Sequence, residues 1–532
     1  MNQIKIDLER IVSDIDHNIF GGYMELGYQD SRFAYLDIGD SSHAGKKNLR
    51  LDVRDALERM NFSNIRFPGG NFASGYHWRD GVGPRQQRPA RYDLAWRCIV
   101  QNQYGTNEFL KLCRALNTEP YLCVNCGDGD MREAVDWVEY CNGTGDTALV
   151  KLRHEHGFVK PHNVKYWGIG NEVDSAAQIG YKTPQEYARA ITEYSKVMKR
   201  TDPDIKLIAS AVCSWEDFPL SPPDLHQKTE WVERTRLMLE QAGDQIDYMA
   251  VHRYAHPTAD DPYETLMAFA EDFNERLSAY EGLIHAVTLE RGIKHTISIS
   301  VDEWGVMRVP PELRTDDLVN LARDDWGIMR LSTEIKEVHH HEHKVKNNLE
   351  DALVTAMYLN AFIRHARSVR MANFTLMPTF IGMNNQSHPD DPVLLPSFFF
   401  PFEIYNRTCG QLALDVFWNS DTFSGTYRNR AYTGIRTLDV AATLDESHKQ
   451  LVVYVVNQSK NERMETVISL TDGHFTGKVR ASVINGPDIK TENTLEKPHQ
   501  IGIQENALKA SGKSFKFAFE PHSITTLVCP VS

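Results

Sequence analysis

Two glutamates stand out because each ends an apolar, strand-like run of the sequence. Glu172 ends Val164–Glu172 (VKYWGIGNE), and Glu303 lies near the end of Ile297–Trp304 (ISISVDEW). A charged group on such a strand is costly unless it is paired or functional. Two carboxylates on separate strand ends, roughly 5 Å apart, are what glycoside hydrolysis by double displacement needs: one is acid and base, the other nucleophile. Taken alone, either glutamate could equally be an ordinary acid at the start of a helix or loop.

Such a pair needs a scaffold that brings strand ends together. Between about residues 18 and 385, short apolar runs alternate with helical patterns such as Pro184–Arg200, capped by Thr183, and Leu349–Arg367. This alternation predicts a parallel sheet with crossover helices. The eight candidate strands are Phe20–Gly27, Asn64–Pro68, Pro120–Asn125, Val164–Gly170, Lys206–Ser210, Ile246–Tyr254, Ile297–Trp304 and Met371–Met377. They predict a (β/α)8 TIM barrel with Glu172 on strand four and Glu303 on strand seven, both at the carboxyl-terminal mouth.

The pattern changes after about residue 390 to short strands separated by turns. The strand-like runs are 451–457, 464–470, 478–484, 515–519 and 523–528. Their spacing predicts an antiparallel, jelly-roll-like β-sandwich. The alternating segment Gln3–Leu8 precedes the first barrel strand and is predicted to add a strand to the sandwich. The fold class is therefore α/β plus all-β, with a barrel over 18–385 and a sandwich from 1–17 plus 386–532.

Composition excludes some partners. The 532-residue chain carries a formal charge of −14, which argues against nucleic acid or an anionic membrane, because both call for clustered Lys and Arg. The segment Met1–Arg10 has no apolar run of signal-peptide length, and no stretch of about 18 apolar residues appears in the sequence. We therefore expect a cytoplasmic protein without a membrane span.

Further candidate site residues lie on other strand ends. In Ile65–Phe72 (IRFPGGNF), two glycines would let the backbone bring Asn71 into the mouth, and Arg66 would hold carboxylates in place. The alternative is a tight turn with a structural arginine; a phosphate loop is disfavoured because no GKS or GxGxxG pattern follows. Tyr254 could orient a carboxylate. Other candidates, each as easily a satisfied core group, are His252 and Glu25 for sugar hydroxyls and Trp78, Trp96 and Trp304 for stacking.

Two other motifs suggest metal or redox chemistry only at first sight. Cys123 and Cys126 form a CxxC, but they lie in a predicted buried strand without a second CxxC, so we expect buried free thiols. The tract His339–His343 (HHHEH) lacks the His-Glu-x-x-His spacing. We interpret it as an exposed loop or helix end, or an oligomer contact, and predict no metal site.

Five segments together resemble a known family, the α-L-arabinofuranosidases of glycoside hydrolase family fifty-one. They are RFPGGNFASGYHWRDGVGPRQQRP, WGIGNEVD, VHRYAHP, SVDEWGV and LEDALVTAMYLNAFIRHA, which occur in the family's order along nearly the whole chain. The resemblance implies a barrel with a carboxyl-terminal sandwich, a retaining mechanism, no cofactor and a carbohydrate substrate. Family members are usually hexamers, so it also implies a homo-oligomer.

The resemblance assigns roles to individual positions. Glu172 matches the acid/base and Glu303 the nucleophile. Substrate-site positions of the family match Arg66, Asn71, Asn171 (the sugar 2-hydroxyl), Tyr254 (beside the nucleophile) and Glu25 (the arabinose hydroxyls). To these we add His252 and Trp304 as candidate substrate contacts.

Three departures from the family's sequence pattern leave the identity of the substrate sugar less well determined than the mechanism. The family often has Glu-His-Leu-Gly where this chain has Glu25-Leu26-Gly27, the segment Gly305–Asn348 differs, and Leu376 lies near a usual glutamine. Losing that amide removes a hydrogen bond worth about 1 kcal/mol. We expect an exo-acting α-L-arabinofuranosidase for arabinose-containing oligosaccharides. The same mechanism on a β-xyloside, a β-galactofuranoside or an endo-β-glucan remains an alternative, as does a non-catalytic sugar-binding barrel.

Overall fold

The computed structural model describes residues 2–27, 51–96, 98–175, 178–211, 231–255, 257, 261–307, 347–375, 393–427 and 430–532. The strands are β1 (Asn2–Asp14), β2 (Gly21–Tyr23), β3 (Asn64–Phe67), β4 (Arg91–Asp93), β5 (Cys98–Val100), β6 (Glu119–Val124), β7 (Tyr166–Ile169), β8 (Lys206–Ser210), β9 (Tyr248–Ala255), β10 (Ser298–Val306), β11 (Val369–Phe374), β12 (Leu412–Asn419), β13 (Thr422–Tyr427), β14 (Arg430–Arg436), β15 (Leu438–Leu444), β16 (Gln450–Asn457), β17 (Met464–Leu470), β18 (Phe475–Ile484), β19 (Ile503–Gly512), β20 (Ser514–Phe519) and β21 (Ser523–Pro530).

The helices lie mostly between the barrel strands. They are α1 (Leu51–Met60), α2 (Thr106–Leu116), α3 (Met131–Asn142), α4 (Ala148–Glu155), α5 (Pro184–Thr201), α6 (Trp231–Ala242), α7 (Tyr263–Arg291), α8 (Leu349–Arg364) and α9 (Phe399–Thr408). Short 3-10 turns cover His17–Phe20, Asn71–Gly75, Trp78–Gly81, Arg85–Gln87 and Gly243–Gln245. In the described part of the chain, no helix is both long and apolar enough to cross a membrane.

The predicted TIM barrel is confirmed. In the described residues, the closed barrel has the strand order β2, β3, β6, β7, β8, β9, β10 and β11. All its neighbouring strands pair in parallel. Each strand overlaps one of the eight runs proposed from the sequence, in the same order. Their carboxyl ends therefore meet at one mouth, which is where loop residues can converge on a site.

Local sequence explains where the helices begin. At the start of α5, the Thr183 hydroxyl accepts a hydrogen bond from the Glu186 backbone N–H, and the Glu186 carboxylate accepts one from the Thr183 N–H. This capping box, followed by Pro184 at the first helical position, satisfies donors that the helix itself leaves open. Asn348 caps α8 in a similar way.

The carboxyl-terminal strands form a second, mostly antiparallel sheet, as predicted. In the described residues it has nine strands in the order β19, β18, β21, β16, β15, β12, β1, β17 and β20. β1 lies inside this order, antiparallel to β12 and parallel to β17. The sheet encloses its own apolar core, with side chains from β1, β12 and β15–β18 among its members.

The centre of this sheet is buried on both faces. Along β16, Leu451, Val453 and Val455 face the core of the sheet, whereas Val452 and Tyr454 belong to the core of the barrel. Alternate residues of a strand point to opposite faces, so the unbroken apolar run of β16 reflects two-sided burial.

α9 packs against the barrel on one side and, through Tyr405 stacked 4.2 Å from Tyr454 of β16, against the second sheet on the other. The Phe402 ring packs edge-on against Phe20 and Phe62, with centroids 5.8 and 5.4 Å away. Glu403 accepts two 2.8 Å hydrogen bonds from Arg59 of α1. Residues 399–408 therefore pack on the barrel, and the strands of the second sheet resume at β12.

Candidate active site

Glu172 lies in a tight turn just after β7. Its φ of 41° and the φ of 77° at Gly170 place both residues in the left-handed region. Positive φ is uncommon for a residue with a side chain and tends to occur at functional sites. The side chain of Glu172 is buried at the barrel mouth, where a carboxyl oxygen lies 3.0 Å from His252 Nδ1.

Glu303 lies inside β10, beside an irregularity in strand pairing. The register with β9 shifts between Ser300 and Glu303. A bulge of this kind lets neighbouring residues depart from strict alternation, and both Asp302 and Glu303 contact Arg66 within the barrel. The sequence pair Asp302-Glu303 therefore supplies two inward carboxylates.

Trp304 points the other way, and the structure does not bring it to the mouth with the other predicted site residues. Its fully buried ring packs against Tyr358, Phe362 and Phe374, with centroids 4.7–5.1 Å apart. Alternation resumes after the bulge, so Trp304 faces the helix layer while Glu303 faces the mouth. Trp78 is also a core residue, stacked on Trp137.

Arg66 organises the centre of the site. Its Nη1 donates to Glu303 Oε1 at 2.6 Å, its Nη2 donates to Asn171 Oδ1 at 2.7 Å, and its Nε lies 3.4 Å from Asp302 Oδ2. The guanidinium is almost fully buried. A rigid fork of donors with a permanent charge holds the Glu303 carboxyl in place.

Tyr254 completes the surroundings of Glu303. Its hydroxyl donates to Glu303 Oε2 at 2.7 Å and lies 2.9 Å from Thr375 Oγ1. Both oxygens of Glu303 thus accept a hydrogen bond, one from Arg66 and one from Tyr254. These bonds favour the charged form of a carboxylate.

Glu25 follows β2 and lies near Gly70 and Glu303. Its Oε1 accepts hydrogen bonds from the Phe72 backbone N–H at 3.2 Å and from Trp96 Nε1 at 3.1 Å. Gly70 lies between Glu25, Tyr23 and Glu303, because a Cβ there would be 3.4 Å or less from a side-chain oxygen of each. The glycine keeps this space open.

Asn71 and Asn171 are linked through a residue that the sequence did not reveal. Gln178 Nε2 donates to Asn71 Oδ1 at 3.0 Å and lies 3.4 Å from the backbone carbonyl oxygen of Asn171. Asn171 Nδ2 lies 3.4 Å from Asn71 Oδ1. Gln178 follows β7 in a loop with no motif of its own, and no pattern in the sequence marks it.

Burial controls the protonation of two glutamates. It raises the pKa of Glu172 to about 7, with the negative charge of Glu303 adding to the rise and the hydrogen bond with His252 opposing it. Burial likewise raises the pKa of Glu25 to about 8, again with a contribution from Glu303. Near neutral pH, the site can therefore hold a proton on Glu172, while the Glu303 carboxyl accepts a hydrogen bond from the Arg66 guanidinium.

The same side chains have the composition of a cation site. Glu172, His252 and Glu303 each bring a potential ligand atom within 4.8 Å of the others. Arg66 already donates a 2.6 Å hydrogen bond to Glu303, and the Glu172 carboxyl, with a pKa raised to about 7, can hold a proton near neutral pH. We therefore interpret the cluster as a proton-transfer site.

Comparison with known proteins identifies the family. The model described as the alpha-L-arabinofuranosidase 1 domain matches residues 56–280, and that of the alpha-L-arabinofuranosidase C-terminal domain matches 302–523. A probable α-L-arabinofuranosidase C of Aspergillus clavatus is 31% identical over 98% of this chain and 96% of its own. The chain belongs to the α-L-arabinofuranosidases of glycoside hydrolase family fifty-one.

Other arabinofuranosidases are similar over their full length. An intracellular exo-α-(1→5)-L-arabinofuranosidase 1 of Bacillus subtilis is 30% identical, with 95% of each chain covered. The crystal structure of the Thermotoga maritima α-L-arabinofuranosidase in complex with arabinose matches with a TM-score of 0.80 and 30% identity, covering 99% of both chains.

Most residues predicted for this arabinofuranosidase site converge at the mouth. Those brought together are Glu25, Arg66, Asn71, Asn171, Glu172, His252, Tyr254 and Glu303. Cys123 and Cys126 are buried free thiols, as predicted. Leu26 is a buried core residue. Leu376, the His339–His343 tract and most of the segment Gly305–Asn348 lie outside the described residues.

Proposed function

We propose that this arabinofuranosidase is a retaining, exo-acting enzyme that works by double displacement. Glu303 attacks the anomeric carbon while Glu172 protonates the leaving oxygen. Glu172 then deprotonates water, which hydrolyses the glycosyl-enzyme. The observation that carries the proposal is the separation of 4.8 Å or less between one carboxyl oxygen of Glu172 and one of Glu303. Retaining enzymes place the two carboxyl groups about 5–5.5 Å apart, and inverting enzymes about 6.5–9.5 Å.

The surroundings of the two carboxyl groups support this division of roles. Glu303 receives hydrogen bonds from Arg66 and Tyr254, which stabilise the anion that a nucleophile needs. Glu172 has a pKa raised to about 7 by burial, which suits a group that first donates and then accepts a proton. A non-catalytic sugar-binding barrel would not need both.

The substrate and location rest on the relatives. We propose that the substrates are short oligosaccharides with a terminal α-L-arabinofuranosyl group and that the enzyme is cytoplasmic. The Bacillus subtilis relative is named an intracellular exo-acting enzyme for the α-(1→5) linkage, which supports both points. A homo-oligomer, hexameric by family resemblance, stays a prediction that light scattering would test.

A mechanism-based inhibitor tests the proposal. An arabinofuranosyl fluoride that forms a slow-turnover covalent adduct should label Glu303, and peptide mass spectrometry should locate the adduct. Glu303→Gln is the control that should not be labelled. Product analysis by NMR should show that the first-formed sugar keeps the anomeric configuration of the substrate. Inversion, or labelling of another residue, would refute the mechanism.

Nitrophenyl glycosides test the sugar separately. We expect dominant release from the α-L-arabinofuranoside over the β-D-xyloside, the β-D-galactofuranoside and the β-cellobioside. Dominant release from one of the other three would retain the two-glutamate mechanism and overturn the substrate assignment.

A further inference from the structure

The imidazole of His252 lies between three carboxyl groups. Its Nδ1 is 3.0 Å from Glu172 Oε1 and 3.5 Å from Glu303 Oε2, and its Nε2 is 3.3 Å from Asp302 Oδ1. We expected His252 to bind a sugar hydroxyl, but both ring nitrogens face carboxyl groups of the protein. The side chain is 1% exposed, so its surroundings are those of an interior group.

Asp302 is itself held in place. Its Oδ2 accepts a 2.7 Å hydrogen bond from the Tyr121 hydroxyl and lies 3.4 Å from Arg66 Nε. Burial opposes its ionisation, but the charge of Arg66 and the contacts with His252 and Tyr121 hold the pKa of Asp302 below its usual value. A fixed negative charge therefore lies beside Nε2 of His252 and favours a proton there.

The charge balance of the buried site points to a second proton on the ring. With Glu172 and Glu25 protonated, as their raised pKa values allow, the remaining charges at the centre are negative on Glu303 and Asp302 and positive on Arg66. A net charge in the protein interior is costly. A doubly protonated His252 would bring the sum to zero.

We propose that Asp302 is a positioning residue that keeps His252 cationic between Glu172 and Glu303, so that its Nδ1–H pairs with whichever glutamate is charged. This inference rests on the proposed double displacement. In the free enzyme, the charge is on Glu303. When a lone pair of Glu303 forms the bond to the anomeric carbon, the bond to the leaving oxygen breaks and that oxygen takes the proton of Glu172.

The negative charge has then moved from one glutamate to the other. Glu303 is a neutral ester, Glu172 is a carboxylate, and the charges of Asp302, Arg66 and His252 are unchanged. The Nδ1 of His252 is within 3.5 Å of a carboxyl oxygen of each glutamate. One N–H can therefore pair with Glu303 before the transfer and with Glu172 after it, while the imidazole ring stays in place. Its main effect is to stabilise the anion left on Glu172, which makes Glu172 a stronger acid.

A series of leaving groups tests this role. The substrates are α-L-arabinofuranosides of dinitrophenol, which leaves without protonation, and of phenol, which needs it. We expect Asp302→Asn to lower kcat/KM about 100-fold for the phenyl substrate, within the range of general acid catalysis, and less than about threefold for the dinitrophenyl substrate. His252→Gln should give the same selective loss.

The double variant Asp302→Asn/His252→Gln should lose no more kcat/KM for the phenyl substrate than His252→Gln alone, because both changes act through the contact between Asp302 and His252. Asp439→Asn is the matched control: this buried carboxylate pairs with Arg364 at 2.7 Å, where the barrel meets the second sheet. Any loss it causes should be the same for both substrates. Thermal unfolding of each variant measures folding, and His252→Gln carries the test alone if Asp302→Asn does not fold.

Two results separate this inference from the proposed mechanism. Glu172→Ala should show the largest selective loss on the phenyl substrate. If Glu172→Ala is selective while Asp302→Asn and His252→Gln lose both activities equally, the positioning role is wrong and the mechanism stands. If Glu172→Ala itself loses both equally, the acid assignment fails and this inference fails with it.

Discussion

The space at Gly70 gives a sharp test of the pocket geometry. A Cβ at this position would lie 2.4 Å from the Tyr23 hydroxyl oxygen and 3.0 Å from Glu303 Oε1. A normal contact is roughly 1 Å longer than the first of these distances. Tyr23 is 1% exposed and cannot swing into solvent, so the loop or the catalytic side chains must move instead.

The expected cost follows from that displacement. A shift of about 1 Å in a catalytic group can cost about 100-fold in rate, which corresponds to about 2.7 kcal/mol of transition-state stabilisation. Overpacking of a buried site typically lowers the free energy of unfolding by about 1–3 kcal/mol. We therefore expect Gly70→Ala to lower kcat/KM for nitrophenyl α-L-arabinofuranoside about 100-fold while the protein still folds.

A matched glycine and a rescue make the assay specific. Gly70 precedes the 3-10 turn Asn71–Gly75, and Gly75 ends it. No heavy atom lies within 4 Å of a Cβ placed at Gly75, so kcat/KM of Gly75→Ala should stay within about twofold of wild type. Adding Tyr23→Phe to Gly70→Ala removes the closest atom and should recover about tenfold. The steric reasoning fails if Gly70→Ala keeps activity within threefold of wild type, or if Gly75→Ala is equally damaged.

Three further predictions concern protonation, the nucleophile and the contact between domains. Because burial raises the pKa of Glu172 to about 7 and the acid must be protonated, kcat/KM should be retained below that pH and fall about tenfold per pH unit above it in a pH–rate profile. Glu303→Ala should reduce turnover more than about 1000-fold, because the nucleophile is lost. Added azide should take its place and restore release of the leaving group. Turnover within tenfold of wild type would exclude Glu303 as the nucleophile. The fully buried Asn360 donates a 2.8 Å hydrogen bond to Asp439 Oδ2. Asn360→Leu should therefore lower the free energy of unfolding, measured by denaturant titration, by about 1–3 kcal/mol and leave kcat unchanged. A changed kcat would contradict a purely structural role for Asn360.

The barrel was predictable because its strands are short and its helices carry clear signals. A parallel strand covered on both faces has an apolar centre, as in Lys206–Ser210, where residues 207–209 are apolar and the bounds in the structure equal those predicted. The capping box at Thr183 fixed the start of α5. Strands of the second sheet were harder to predict from the sequence. β19, for example, is largely exposed, so no apolar alternation marks it.

The pair Glu172 and Glu303, proposed as catalytic, was predictable from strand ends, but the contacts around it were not. His252, Asp302 and Tyr121 come from three strands, and only the closed barrel brings them together. Trp304 follows Glu303 in β10, so alternation alone turns its ring to the helix layer, whereas the register shift between Ser300 and Glu303 accompanies the inward position of Asp302. Short-range patterns therefore indicate which residues reach the mouth, whereas long-range pairing decides what each of them touches.

The position of β1 has a consequence for how the chain folds. β1 is synthesised before the barrel, whereas its neighbours β12 and β17 begin at Leu412 and Met464. Until those strands leave the ribosome, β1 has backbone donors and acceptors on both edges and no partner for either. Contacts so distant in sequence slow folding and expose strand edges to aggregation. During synthesis, both edges of β1 therefore stay unpaired until β12 and β17 have been made, and we expect chaperone dependence to be greatest before that point.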